Sequence, residues 1–106
     1  MEPAAYSLYI LRCADGSLYT GIAKDVSKRL QQHESGPRGA KYLRGKGPLR
    51  LAFQAAVGDR ARALRIEQQV KRLSKPCKEA LVAGRISLTE MLVTRSDDQA
   101  SGSGGG

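Results

Sequence analysis

Arg29 and His33, the chain's only histidine, stand four residues apart in the run DVSKRLQQHESG, and two tyrosines, Tyr9 and Tyr19, stand in the short segments before it. On a helix, residues four apart are neighbours on one face. An imidazole, with a reference pKa near 6.5, can carry a proton at neutral pH. A phenol is harder to use: with a reference pKa of about 10, a phenolate at pH 7 costs roughly 4 kcal/mol at about 1.36 per pKa unit. A nearby fixed cation lowers that cost. Each residue also has a plain structural reading. The tyrosines can be packed strand aromatics, Arg29 a solvated helix residue and His33 a buried or exposed helix histidine. The elements around them decide between chemistry and decoration.

Tyr6 to Cys13 is rich in aromatic and aliphatic residues and reads as a strand. Ala14-Asp15-Gly16-Ser17 is a turn, with Asp15-Gly16 the hairpin signal, and the chain returns as a second strand from Leu18 to Ile22 or Ala23. Alternate strand residues share a face, so Tyr19 and Gly21 point the same way. Gly21 marks a bulge or a close approach of another group. Asp25 caps a helix over Val26 to Glu34, which Ser35 and Gly36 stop. Leu49 to Val57 reads as a third strand, buried. Asp59 then caps a helix with an apolar stripe at Ala63, Ile66, Val70 and Leu73, and Glu67 lies at the border of that stripe. Ser74 caps a shorter helix with Pro76 in its first turn, running to about Ala83 and ending at Gly84. Ser87 to Glu90 has the capping-box pattern and opens a last turn or two to about Val93.

The order β-β-α-β-α-α describes an α+β domain: a small three-stranded, antiparallel-type sheet flanked by helices. It spans residues 5–93, and residues 94–106 have nothing to bury and read as a disordered tail.

Eighteen Lys and Arg against ten Asp and Glu give a net charge of +8 in 106 residues. Such a basic domain prefers polyanions, nucleic acid before an anionic membrane surface. Residues 36–48, GPRGAKYLRGKGP, concentrate the charge: four cations, Arg38, Lys41, Arg44 and Lys46, with four glycines, two prolines and no acid. Phosphates would relieve that self-repulsion, while a solvated loop is the plain alternative. No GK[ST] follows a GxxxxG frame, so this is not a Walker-type cradle. Nothing approaches the roughly 20 apolar residues that span a bilayer, and no secretory signal is read at the N-terminus. Two cysteines, Cys13 and Cys77, suit neither a disulfide scaffold nor a zinc cluster. Both read as small buried groups in a reduced, cytoplasmic setting.

Ser7-Leu8-Tyr9, then Tyr19-Thr20-Gly21, a helix with Arg29, and Glu67 within a later helix together resemble the GIY-YIG nuclease domain, over about residues 5 to 83. The likeness is greatest to small stand-alone bacterial members. The first motif keeps only its tyrosine, and Ile22 stands where excision-repair relatives carry a lysine; Lys24 is two residues on.

The resemblance implies a metal-dependent endonuclease acting on DNA phosphodiester bonds, in DNA repair or recombination. RNA is a second candidate substrate, and a protein partner could deliver it. It further implies a single divalent ion, Mg²⁺ or Mn²⁺, held by Glu67 with waters completing its shell. Arg29 would brace the phosphate with its planar fork. Tyr9 and Tyr19 would position the attacking water, with either a tyrosine or His33 taking its proton. Lys24, Arg38, Lys41, Tyr42, Arg44 and Lys46 would face the nucleic acid. The alternative is a module of the same fold that binds nucleic acid without cutting it, or cuts only with a partner. For Glu67, the plain reading is a helix ion pair with Arg60 or Lys71, worth about 0.2–0.5 kcal/mol for the latter.

Overall fold

The computed structural model describes residues 5–35 and 46–92. Three strands, β1 (Tyr6–Arg12), β2 (Leu18–Ala23) and β3 (Arg50–Gly58), are joined by three helices, α1 (Val26–Ser35), α2 (Arg60–Lys71) and α3 (Lys75–Val82), in the expected order. Both strand pairings are antiparallel, and the sheet order is β2-β1-β3. The chain divides into two compact units at Arg72/Leu73.

Being central, β1 has no free edge, and Leu8, Tyr9, Ile10 and Leu11 are buried in succession. Burial of each such side chain stabilises by about 1.5–3 kcal/mol. The register sets Tyr9 opposite Gly21 and Leu11 opposite Tyr19. These residues therefore share one face, while Leu8, Ile10 and Thr20 take the other. On the tyrosine face, Tyr9 and Leu11 join Cys13, Val26 and Leu49 in one apolar cluster, with Tyr19, Ala23 and Leu30 packed against it. Val26 and Leu30 come from α1, so this cluster fixes that helix over the tyrosine face. Helix α2 contacts all three strands and buries Ala63, Ile66 and Val70 at the expected spacing.

Local chemistry explains the junctions. In the hairpin turn Asp15 accepts from the Ser17 amide at 3.0 Å and the Ser17 hydroxyl at 2.6 Å, and Gly16 takes φ +87°. Asp25 accepts from the Lys28 amide at 3.0 Å and starts α1. Asp59 does the same for α2 through the Arg62 amide at 2.8 Å.

The second unit holds α3, capped by Ser74, and a short helical turn at residues 88–92. There the capping box is reciprocal: Glu90 N–H donates to the Ser87 hydroxyl, and Ser87 N–H to the Glu90 carboxylate.

Three expectations need correction. The third strand is not buried: it lies at the sheet edge, only Val57 is fully covered, and Leu51 is 42% exposed. Leu73 lies beyond the end of α2, which stops at Lys71, although its side chain is buried. Cys77 is exposed near the start of α3, whereas Cys13 is buried as expected; both are free thiols. The tail at residues 94–106 lies outside the described residues.

Candidate functional site

The site grows from one residue pairing. Tyr9 on β1 faces Gly21 on β2 across the ladder, and its ring lies over the glycine. A Cβ at position 21 would sit 2.5 Å from the Tyr9 hydroxyl oxygen and 2.6 Å from its Cζ. No larger residue fits unless Tyr9 moves, so Gly21 is explained by the close approach and not by an unusual turn. Tyr19 stands two residues earlier on the same face.

Helix α1 closes the group. Its register places Val26 and Leu30 in the apolar cluster and, three residues further, His33 against the tyrosines. His33 Nε2 lies 2.9 Å from the Tyr9 hydroxyl oxygen, in a buried hydrogen bond whose direction follows the imidazole tautomer. The three rings pack mutually: centroids are 6.4 Å apart for Tyr9–Tyr19, 6.1 Å for Tyr9–His33 and 5.5 Å for Tyr19–His33, the last edge to face. These are favourable aromatic distances. Only 2% of Tyr9 and 7% of His33 remain exposed.

Burial sets the electrostatics. The Tyr9 phenol is pushed up to about 12, chiefly by burial and then by the neighbouring Tyr19; Arg29 opposes the rise by its charge and a side-chain hydrogen bond, and Glu67 adds to it. His33 is pushed below its usual value, by burial first and then by the Arg29 charge. Both groups are therefore neutral at pH 7. A phenolate at Tyr9 would cost about 7 kcal/mol at that pH, from about 1.36 per pKa unit. Arg29 itself is braced from its own helix, where Nη1 donates to Gln32 Oε1 at 2.9 Å.

Glu67 borders this group from α2. Its side chain is 15% exposed and forms an ion pair with Lys71 Nζ at 3.5 Å, one turn along. The carboxylate's charge adds, as the smallest contribution, to the raised Tyr9 pKa. No group of three or more His, Cys, Asp or Glu is arranged to hold a metal ion among the described residues.

Of the six residues expected at the centre, Tyr9, Tyr19, Gly21, Arg29 and His33 come together, and Glu67 acts on Tyr9 through its charge. The outer set is different. Lys24 has its Nζ 5.6 Å from the Tyr6 ring centroid. Lys46 is half-buried and tied to Asp15 at 3.0 Å, and its carbonyl accepts from Ala14 N–H at 2.9 Å. Arg38, Lys41, Tyr42 and Arg44 lie outside the described residues. Gln32 belongs to the site without carrying a motif of its own; its place three residues after Arg29 is the signal that finds it. The Asp15–Lys46 link, 31 residues apart, leaves no local signal at all.

An antiparallel β2-β1-β3 sheet, with paired tyrosines facing a glycine and an Arg/His helix laid over them, defines a small α+β domain. The model of the GIY-YIG catalytic domain matches residues 5–80, and the chain belongs to that family. It is similar to the UPF0213 protein YhbQ of Escherichia coli O139:H28, at 59% identity over 85 residues, covering 80% of this chain and 84% of that one. The same identity and coverage hold for the YhbQ protein of Shigella boydii serotype 18. Among solved structures, it resembles the solution NMR structure of the UPF0213 protein BH0048 from Bacillus halodurans. That match has 43% identity and a TM-score of 0.50, and covers 83% of this chain and 93% of that one. No helix among the described residues is long and apolar enough to cross a membrane.

Proposed function

We propose that this chain is a metal-dependent endonuclease that hydrolyses DNA phosphodiester bonds, in DNA repair or recombination and in the cytoplasm. The observation that carries the reading is the buried Tyr9–His33 hydrogen bond beside the Arg29 guanidinium. Phosphodiester hydrolysis needs a proton acceptor for the attacking water and positive charge for the phosphoryl oxygens. Here His33 is neutral and able to accept a proton, and Tyr9 connects it to the site. As the Tyr9 oxygen takes the water's proton, its own proton can pass to Nε2. This route avoids a standing phenolate. Arg29 offers a bidentate fork to the phosphate, and Tyr19 orients the water beside the other two rings.

Glu67 is the carboxylate that would hold a divalent cation. One hard oxygen donor with an otherwise aqueous shell suits Mg²⁺, which keeps much of its hydration, and Mn²⁺ would take the same place. When bound, the ion would supply charge neutralisation at the scissile phosphate. The existing Lys71 contact, long at 3.5 Å and half-exposed, is weak enough for a cation to displace.

The test is cleavage of plasmid and branched DNA with Mg²⁺, with Mn²⁺ and with EDTA. Wild type is expected to cut only with metal, and Glu67→Ala and Arg29→Ala to lose cutting, with Glu67→Ala still binding DNA. Binding without cutting by the wild type would favour the non-catalytic or partner-dependent alternative instead.

A further inference from the structure

Helix α2 carries a second charged face that the tyrosine site does not use. At about 100° per residue, Arg62, Arg65 and Arg72, the C-cap that still has helical backbone just after Lys71, fall in one stripe with Gln68 and Gln69 between them. That stripe is turned roughly 140° or more from Glu67 about the helix axis. All three arginines are exposed, and none makes an ion pair among the described residues. The acids of this helix and its cap are occupied elsewhere: Asp59 caps the N-terminus and Glu67 pairs with Lys71. The Arg62 stem runs close to the backbone, since its Cδ would lie 3.0 Å from a Cβ at Gly58.

Arg62 and Arg65, three residues apart on one helix face, repel each other, and an interleaved acid would relieve that repulsion. In this stripe there is none. All three cations are arginine, whose fork matches phosphate oxygens, and the intervening glutamines can donate to phosphates too. From Arg62 to Arg72 the helix rises about 15 Å, roughly four base-pair steps at 3.4 Å each. Large apolar residues, which a membrane-surface helix would set beside its cations, are missing from the stripe.

We infer that the Arg62–Arg65–Arg72 face of α2 is a second docking surface, for the phosphate backbone of a duplex nucleic-acid segment other than the one at the tyrosine site. Because Glu67 and the stripe look in different directions, one straight duplex would not serve both. The chain would therefore hold two duplex segments together. This rests on the nucleic-acid part of the reading above and not on its chemistry.

The experiment mixes the protein, in metal-free buffer at low salt, with two unlinked duplexes, one carrying a donor fluorophore and one an acceptor. Wild type should bring them together and give energy transfer, and Glu67→Ala should do the same. The variant R62Q/R65Q/R72Q should lose most of the transfer, about fivefold or more. It should still bind a single duplex, with the slope of log K against log salt reduced by about 0.9 for each phosphate no longer engaged. Arg65→Glu alone, with circular dichroism to confirm folding, should give an intermediate loss. Transfer that survives the triple substitution, or is absent in wild type that binds a single duplex, would overturn the inference while leaving the proposed nuclease untouched. Wild type that bridges but never cuts would fault the nuclease reading alone. Equal binding of the stripe to anionic phospholipid vesicles, abolished by the same substitutions, would also overturn it in favour of a membrane surface.

Discussion

The Tyr9 face and the arginine face of α2 are built on opposite principles. One is a closed group of rings in which burial makes the groups neutral and couples them over 2.9 Å. The other is an open row of fixed charges that form no ion pair among the described residues. Desolvation tunes proton affinity where burial is deep, so the first suits proton transfer. Charge reaches furthest where side chains are free to meet a ligand, so the second suits binding. A substitution at the first should change folding and pH response together, and one at the second should change salt dependence and little else.

That difference is tested most severely at Gly21. Gly21→Ala drives a methyl into the Tyr9 hydroxyl and ring, which are pinned by His33 and almost wholly buried. We expect a loss of about 1–3 kcal/mol, typical of overpacking, measured as a fall in midpoint during chemical unfolding. A change within about 0.5 kcal/mol, the usual range for surface substitutions, would mean the ring is not held there. Replacement of Arg65 by Gln, by contrast, should leave the midpoint unmoved.

Tyr9→Phe comes next. It removes the hydroxyl that His33 Nε2 meets at 2.9 Å, and loss of one partner of a buried hydrogen bond costs about 1–3 kcal/mol. Unfolding midpoints at pH 7 would show it, and an unchanged midpoint would deny that the hydrogen bond matters.

The pH dependence of stability follows from both groups. His33 has a folded pKa below its unfolded 6.5, so the unfolded chain binds the proton more tightly. Its contribution is complete above 6.5 and is lost as pH falls through 6.5 towards the lower folded value. Tyr9 works at the other end. Its pKa rises from 10.0 to about 12 on folding, so its contribution is intact below 10 and disappears between 10 and 12. Denaturant midpoints across roughly pH 5 to 11 should decline at both ends, and His33→Gln should flatten the acid side. An equal decline in that variant would assign the acid limb to other groups.

The smallest effect is expected at Lys71. Its pair with Glu67 is of the (i, i+4) kind and half-exposed, so Lys71→Ala should cost only about 0.3–0.5 kcal/mol. A loss above about 1 kcal/mol, beyond the range of exposed pairs, would make this pair a structural tie, and Glu67 less available to a cation.

Much of this is legible locally. The Asp15-Gly16 turn, the Asp25 and Asp59 caps and the spacing of Arg29 and His33 each depend on neighbours in sequence, and the order of elements follows from them. Strand pairing is not local. Nothing in LRLAFQAAV says that β3 takes the sheet edge and β1 the centre, so the expected burial of β3 fails. Nor does sequence reveal that Tyr9 and Gly21 are ladder partners, from which the ring's position follows. The raised Tyr9 pKa is a further step removed, since it depends on how completely α1 and Tyr19 exclude water. Lys46 reads as one more loop cation in sequence, and only the folded hairpin brings Asp15 to it.

The most direct measurement is the rate of Mg²⁺-dependent DNA cleavage from roughly pH 5 to 8 for wild type and Tyr9→Phe. Wild-type cutting should climb with pH through a midpoint below the usual histidine value as His33 loses its proton, then level. Tyr9→Phe, folded and still binding DNA, should be slower by about 10² or more, the scale of a lost proton-transfer catalyst. Cutting by Tyr9→Phe at the wild-type rate, with the same pH profile, would contradict a proton route through Tyr9 to His33.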